Sequence, residues 1–385
     1  MSAIHFLAVP KLICAPGSLS ELAGLCEQAG WRHALIVTDP GIVASGFAER
    51  AAHAMRKGGT ATTIFDQVAA DPPYSVVRAA VQLARNVGCD CVVGLGGGSS
   101  IDTAKVVSVS INSEQSLDDM VGNDRVEGNR LPLVAIPTTA GTGSEVTFVS
   151  VLTNDANEKR AIFAPQLMPD IALLDAELTL GMPRHVTAAT ALDAMVHCIE
   201  AFTSRTRKNP ISDAVALKGL ALLVENFPIV LSDGKNLQAR NAMLLGATLA
   251  GMAFINASVG AVHGLSYPLG ARFHVPHGHS NALVMGAVFR FNLPAAAKEY
   301  AELAPVVLPG KRFSSPGAAA DAFVSRLEEM LAESGLETRL SALGVTEADV
   351  EPMAEEVTQK ITRLIAANPR DMNFAQVCSL YRSVM

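Results

Sequence analysis

In the first half of the chain, short apolar runs alternate with stretches of helical period. Ala34–Thr38 is a β-branched run that reads as a strand, and Phe47–Lys57 follows it with the spacing of a helix. The alternation continues with a strand over Thr60–Phe65, a helix over Tyr74–Asn86 and a strand over Cys89–Leu95. A helix over Ser100–Ile111 and a strand over Leu133–Ile136 come next. Val146–Leu152 and Ile171–Leu174 are expected as edge strands. Strands separated by helices of about ten residues predict a Rossmann-like α/β fold, a parallel sheet with helices on both faces. After Pro183 the pattern changes to long Ala- and Leu-rich segments, which predict an all-α second part. Gly181 and Pro183 interrupt regular structure, so the expected division is a nucleotide-binding α/β domain over 1–184 and an all-helical metal-binding and substrate domain over 185–385.

Ala242–Val262 is uncharged over 21 residues, long enough to cross a bilayer. Thr248, Asn256, Ser258 and three glycines within it predict a closely packed core helix instead, so no membrane association is expected. Composition supports a large packed core: 49% of residues are apolar and 17% charged. Lys plus Arg number 30 against 37 Asp plus Glu, a net charge of −7 that lacks the basic excess of a nucleic-acid binder. The opening MSAIHFLAVPKL has no basic stretch followed by a sustained apolar one, so a cytoplasmic location is expected. Six cysteines are too sparse to staple the fold, and no C-x-x-C pair occurs. Cys89 and Cys91 are predicted as inert core thiols on one side of a strand.

The strongest local signal is the run from Cys91 to Lys105. An apolar strand enters Gly94, Gly96, Gly97 and Gly98, and a helix opens near Ser99 or Ser100. Glycines let a backbone approach a phosphate, and the N–H groups and dipole of the helix start favour an anion. Ser99 stands where the strict dinucleotide fingerprint has its third glycine, and no Gly-Lys-Ser/Thr follows as in a P-loop. Pyrophosphate binding is the favoured reading, against a plain strand-to-helix turn. A second loop supplies Thr138, Thr139, Thr142 and Ser144, hydroxyls suited to a nucleotide groove. Asp39 ends the first clear strand, where a carboxylate can bind an adenosine ribose and repel a 2′-phosphate, favouring NAD over NADP. With Pro40-Gly41 following, Asp39 could equally cap a turn.

In the second half, Asp193 and His197 are four positions apart in a helical run and so share a face. Four of the nine histidines, His263, His274, His277 and His279, fall within 17 positions. Imidazoles with one carboxylate suit Fe²⁺ or Zn²⁺ with room left for substrate, though spacing alone does not choose among His274, His277 and His279.

Taken together, these motifs resemble the iron-containing (group III) alcohol dehydrogenases. The likeness covers nearly the whole chain and rests on Gly96-Gly-Gly-Ser99 with Asp102 and Lys105, Ile136-Pro-Thr-Thr139 with Gly143-Ser-Glu145, the run from Asp193 to Glu200, and the run from His263 to Gly270 with Pro276-His-Gly278. Asn368-Pro-Arg370 closes the series. The resemblance implies Asp193, His197, His263 and His277 as metal ligands, with His274 and His279 not bound to the metal. It implies Gly97, Gly98 and Ser99 on the pyrophosphate and Asp39 on the ribose. Thr138, Thr139, Thr142 and Lys159 would line the nucleotide site, to which Gly96, Asp102 and Ser144 are assigned as motif residues, and Phe254 the substrate pocket.

Tyr267 stands where many family members carry a histidine, and a phenol with pKa about 10 is a poor base at neutral pH. It would donate a hydrogen bond or pack in the pocket. The expected activity is hydride transfer between NAD(H) and a small alcohol or aldehyde on Fe²⁺, with Zn²⁺ and NADP(H) open, in a homodimer or higher homo-oligomer. The alternatives are a hydroxyacid–oxoacid transhydrogenase, or a nucleotide- and metal-binding protein without catalysis.

Overall fold

The computed structural model describes residues 3–385. The chain forms two compact units, one of residues 8–181 and one of residues 182–385 together with the segment ending at Leu7.

The first unit is built on a six-stranded, all-parallel sheet. Its strands are β1 (Lys11–Cys14), β2 (His33–Val37), β3 (Ala61–Phe65), β4 (Cys91–Gly96), β6 (Leu133–Pro137) and β9 (Ile171–Leu174), in the order β1-β9-β6-β4-β2-β3. β5 (Gly122–Asn123), β7 (Val149–Thr153) and β8 (Lys159–Phe163) form a separate small sheet. Its helices are α1 (Leu22–Ala29), α2 (Pro40–Ala44), α3 (Phe47–Lys57), α4 (Tyr74–Val87), α5 (Gly98–Ser110) and α6 (Leu117–Met120).

Strand alternation sorts the core into two layers. Ala34, Ile36, Cys91, Val93 and Leu95 pack with α1 and α3, while Leu35, Val37 and Val92 pack with α4 and α5. Burying one such Leu, Ile or Val side chain stabilises the fold by about 1.5–3 kcal/mol. The chain runs outward from β2 to β3, then crosses back to β4 and continues toward β9. The order therefore reverses between β2 and β4, where open α/β sheets take their ligands at the carboxyl ends.

Three expectations change. Ile171–Leu174 lies inside the sheet, because β1 pairs along its outer side and takes the edge. The 146–152 run starts its strand only at Val149 and leaves the main sheet: a tight turn with Asn157 left-handed at φ 59° folds β8 back antiparallel on β7. Cys89 and Cys91 go to opposite layers, since Cys89 precedes β4 and still closes the end of α4 through its N–H bond to Ala84 O at 3.2 Å. All six cysteines are free thiols, as expected.

The second unit is helical: α7 (Arg184–Thr203), α8 (Pro210–Ser232), α9 (Leu237–Ala257), α10 (Ala261–Phe273), α11 (His277–Val307, kinked at Ala296), α12 (Pro316–Ser334), α13 (Glu347–Gln359), α14 (Thr362–Ala367) and α15 (Phe374–Ser383). The uncharged 242–262 stretch is not one helix. Ser258 at φ 123° ends α9, and α10 leaves at 106° to it. α8, with mean hydropathy 1.7, is long and apolar enough to cross a membrane by length and composition; here it packs along α7 and α9.

Candidate metal centre and nucleotide turn

In the helical unit, three helices bring four ligand-type side chains to one point. Asp193 and His197 project from one face of α7, His263 comes from the first turn of α10, and His277 opens α11. One ligand atom from each lies within 4.8 Å of all the others. The Asp193 Oδ1 atom is 3.9, 3.8 and 3.7 Å from the Nε2 atoms of His197, His263 and His277. The Nε2 atoms of His197 and His263 face each other at 2.9 Å.

Close helix approach makes this possible. A Cβ on Gly278 would lie 2.6 Å from Ala189 O and 3.3 Å from Asp193 Cβ, so only glycine lets the start of α11 reach α7. The spacing left three histidines open at this end of the sequence, and the fold separates them. His274 caps α10 in a left-handed conformation at φ 55°, and His279 Nε2 lies 2.7 Å from the Glu337 carbonyl. His277 alone joins the cluster.

The surroundings suit a divalent cation. The Glu200 carboxylate accepts the Nδ1–H of His263 at 2.6 Å, which leaves Nε2 with its lone pair toward the other ligand atoms. Its second oxygen accepts Val262 N–H at 2.7 Å. Asn281 Nδ2 donates to Asp193 Oδ1 at 2.6 Å, while Asn281 Oδ1 is buried with no partner among the described residues. Burial alone would raise the Asp193 carboxyl, but His197, His277, His263 and the Asn281 amide together hold it below its ordinary value. One carboxylate and three imidazole nitrogens, enclosed except for His277 at 37% exposure, fit an ion with an accessible side.

The ring of Phe254 stacks on His197, with centroids 4.4 Å apart. Tyr267 tilts against His277 at 6.3 Å. Burial pushes its phenol further up, against the pull of Arg363, so it does not act as a base near neutral pH. Glu200 and Asn281 were not singled out from the sequence, although a signal existed. Glu200 is three residues after His197 and seven after Asp193, on the same face of α7. Asn281 is one helical turn after His277.

In the α/β unit, the glycine turn joins β4 to α5. Gly96 has φ 149°, and a Cβ there would meet Ser100 Oγ at 2.6 Å and Asp39 Oδ2 at 3.2 Å. α5 starts at Gly98 without a side-chain cap, so its first-turn N–H groups are suited to an anion. The hydroxyl loop reaches the same turn. Thr139 lies 3.7 Å from where a Gly97 Cβ would be, and Thr142 lies 3.1 Å from that of Gly98. Thr138 donates its N–H to Gly96 O at 3.0 Å.

Asp39 does cap α2, accepting from Gly41 and Ile42 N–H at 3.0 and 3.1 Å through Oδ1, while Oδ2 faces the glycine turn near Ser100. Ser99 sits in the first turn of α5, its carbonyl accepting from Thr103 Oγ1 at 2.8 Å. Asp102 and Ser144 are engaged with each other, Ser144 Oγ donating at 2.5 Å. The fully buried Lys105 donates to Ser144 Oγ, Thr147 Oγ1 and Val149 O at 2.8, 2.9 and 2.8 Å, which ties the hydroxyl loop to α5. Lys159, on β8, pairs with Asp71 at 2.9 Å.

Comparison with known proteins gives one answer over the whole length. Residues 10–176 match the family described as iron-containing alcohol dehydrogenase, and residues 187–385 match the C-terminal part of the Fe-containing alcohol dehydrogenase family. The probable alcohol dehydrogenase EutG of Escherichia coli (strain K12) is 33% identical over 98% of this chain and 93% of its own. The NAD-dependent methanol dehydrogenase of Bacillus methanolicus is 31% identical over 99% of this chain and 100% of its own. A crystal structure of 1,3-propanediol oxidoreductase superposes with a TM-score of 0.95 at 33% identity, covering 100% of both chains. The chain belongs to the iron-containing alcohol dehydrogenase family and is an oxidoreductase acting on alcohols.

Proposed function

We propose that the protein interconverts a small alcohol and its aldehyde with NAD(H): aldehyde, NADH and a proton give alcohol and NAD⁺. The observation that carries this reading is the convergence of Asp193, His197, His263 and His277 from three helices. These four residues would hold a divalent ion, Fe²⁺ ahead of Zn²⁺. Such an ion supplies Lewis acidity, easing deprotonation of an alcohol and polarising a carbonyl.

The chain's own groups do the rest. Glu200 fixes the His263 tautomer, and Asn281 orients Asp193. Phe254, stacked on His197, and Tyr267, tilted against His277, would wall the substrate pocket beside the cluster. Gly96, Gly97, Gly98 and Ser99 would take the pyrophosphate, with Thr138, Thr139, Thr142 and Lys159 around the nucleotide. Asp102 and Ser144 act by fixing the loop. The Oδ2 atom of Asp39, directed at the turn, would bind the ribose and repel a 2′-phosphate, which supports NAD over NADP. A relative named as NAD-dependent supports the same coenzyme.

The test is NADH oxidation by anaerobically prepared, Fe²⁺-reloaded protein with a series of short aldehydes. If no metal restores turnover and His277→Ala matches the parent protein, the reading fails.

A further inference from the structure

The first turn of α10 carries the ligand His263, and its own segment gives it no cap. Gly260 stands at the N-cap without a side chain, and Ser258 at φ 123° has just turned the backbone away from α9. Two side chains from elsewhere take the open N–H groups instead. The Glu200 carboxylate of α7 accepts Val262 N–H at 2.7 Å, and the Asn368 amide oxygen accepts Ala261 N–H at 3.4 Å. They meet at Gly260, where a Cβ would lie 3.1 Å from Glu200 Oε1 and 3.4 Å from Asn368 Oδ1. Glu200 uses its other oxygen on the His263 ring, so whatever steadies this turn also steadies the ligand.

Asn368 follows α14 directly and faces Asn292 of α11; both are buried. Each amide donates to the other's oxygen, at 2.8 and 2.7 Å, and Asn368 Nδ2 also donates to Arg370 O at 2.7 Å. The Arg370 carbonyl accepts only from a nitrogen, and Ala261 N–H donates only to an oxygen. The Asn368 amide therefore sits one way round, its oxygen toward α10. α11 begins at His277, so the amide pair joins the helix of one ligand to the turn that carries another. Breaking such a buried pair strands polar groups that have no water to replace the lost partner.

We infer that Asn368 is a positioning residue of the metal centre: locked by Asn292, its amide oxygen holds the first turn of α10 and sets where the His263 ring stands against Asp193, His197 and His277. It acts through the α10 backbone and beside Glu200. This rests on the metal-site reading above and adds to it a residue from outside the three ligand helices.

The experiment uses the full chain loaded with Fe²⁺ or with Co²⁺, whose visible absorption follows the arrangement of its ligands. Asn368→Ala is expected to weaken metal binding about tenfold in chelator competition and to alter the Co²⁺ spectrum. Asn292→Ala keeps the oxygen but lets it turn, and should give a smaller loss of the same kind. The control is Arg370→Met. It removes the Arg370 bond to Phe291 O at 2.7 Å and the guanidinium 4.1 Å over the Phe291 ring, loosening the same loop while the Arg370 carbonyl still holds Asn368. It should lower Tm and change neither metal affinity nor spectrum. Because Asn368 and Glu200 hold one turn, combining Asn368→Ala with Glu200→Gln should weaken binding by less than the product of the two single losses. An Asn368→Ala protein that melts earlier yet keeps the parent's affinity and spectrum overturns the inference, as does an Arg370→Met that weakens the metal equally. If Asn368→Ala does not fold, Asn292→Ala decides by the same readouts. A parent protein that takes up neither ion overturns the metal reading together with this one; in every other outcome that reading stands.

Discussion

The Glu200 carboxylate holds the Nδ1–H of His263 at 2.6 Å, and this bond decides which ring nitrogen faces Asp193. Glu200→Gln keeps an oxygen for Val262 N–H but can turn an amide donor toward Nδ1, favouring the wrong tautomer. Metal affinity, measured by chelator competition, is expected to fall about 10–100-fold with the circular dichroism spectrum unchanged. Unaltered affinity would refute the role given to Glu200.

Gly278 is where α11 touches α7. Gly278→Ala places a methyl 2.6 Å from the Ala189 carbonyl, so the helices must part. A loss of roughly 1–3 kcal/mol in chemical denaturation is expected, with reduced metal content after reloading. Gly181→Ala is the control, because nothing lies within 4 Å of its Cβ position; it should be near neutral.

Lys105 is buried with three hydrogen bonds to the segment that carries the nucleotide-loop hydroxyls. Lys105→Met deprives Val149 O and the Asp102–Ser144 pair of their donor. Destabilisation of roughly 3 kcal/mol is expected, with a weaker Kd for NADH read by its fluorescence. Adding Asp102→Asn should recover some of the stability by removing the stranded charge. Burial also lowers the Lys105 pKa, against the opposing pull of Asp102 and Glu145. A base whose folded pKa is depressed binds fewer protons folded than unfolded. Its contribution therefore grows more favourable as pH rises toward the unfolded value.

The thiol of Cys89 gives the opposite sign. Burial, reinforced by Asp90, raises its pKa from 9.0 to about 11. The folded protein then keeps a proton that the unfolded chain loses, so this contribution is whole below pH 9 and lost as pH climbs toward 11. The difference is roughly 2–3 kcal/mol. Cys89→Ala should flatten the fall in stability over that interval, and native Cys89 should resist iodoacetamide at pH 8 while the unfolded chain is alkylated.

The sequence carried the main sheet far, and with it the cluster of Asp193, His197, His263 and His277. β-branched runs and helical periods marked β2, β3, β4 and β6 to within two residues; β2, β4 and β6 are buried along most of their length, and β3, at the sheet edge with only Phe65 buried, still carries the β-branched run Thr62–Ile64. The glycine turn and the Asp193–His197 pair were legible for a related reason: local spacing fixes local geometry in a helix or a strand-to-helix turn. Misreadings came where partners are remote. Nothing in Ile171–Leu174 says that a strand made some 160 residues earlier will cover its flank. Ala242–Val262 is uncharged throughout, and the backbone at Ser258 breaks it into two helices. Spacing alone did not choose His277 over its two neighbours, though the family likeness did; the physical choice depends on the contact of Gly278 with Ala189, which joins α11 to a helix started more than 90 residues before.

Asn256 grips the backbone of Leu7 from both sides, accepting from its N–H and donating to its carbonyl, each at 2.8 Å. The helical half is therefore not a self-sufficient piece of sequence. A fragment beginning at Met182 would lack the strap, leaving a 5%-exposed amide with two empty bonding positions near the end of α9. Supplying the missing heptapeptide in trans is the natural remedy, and during synthesis the same latch must wait until residue 256 has left the ribosome.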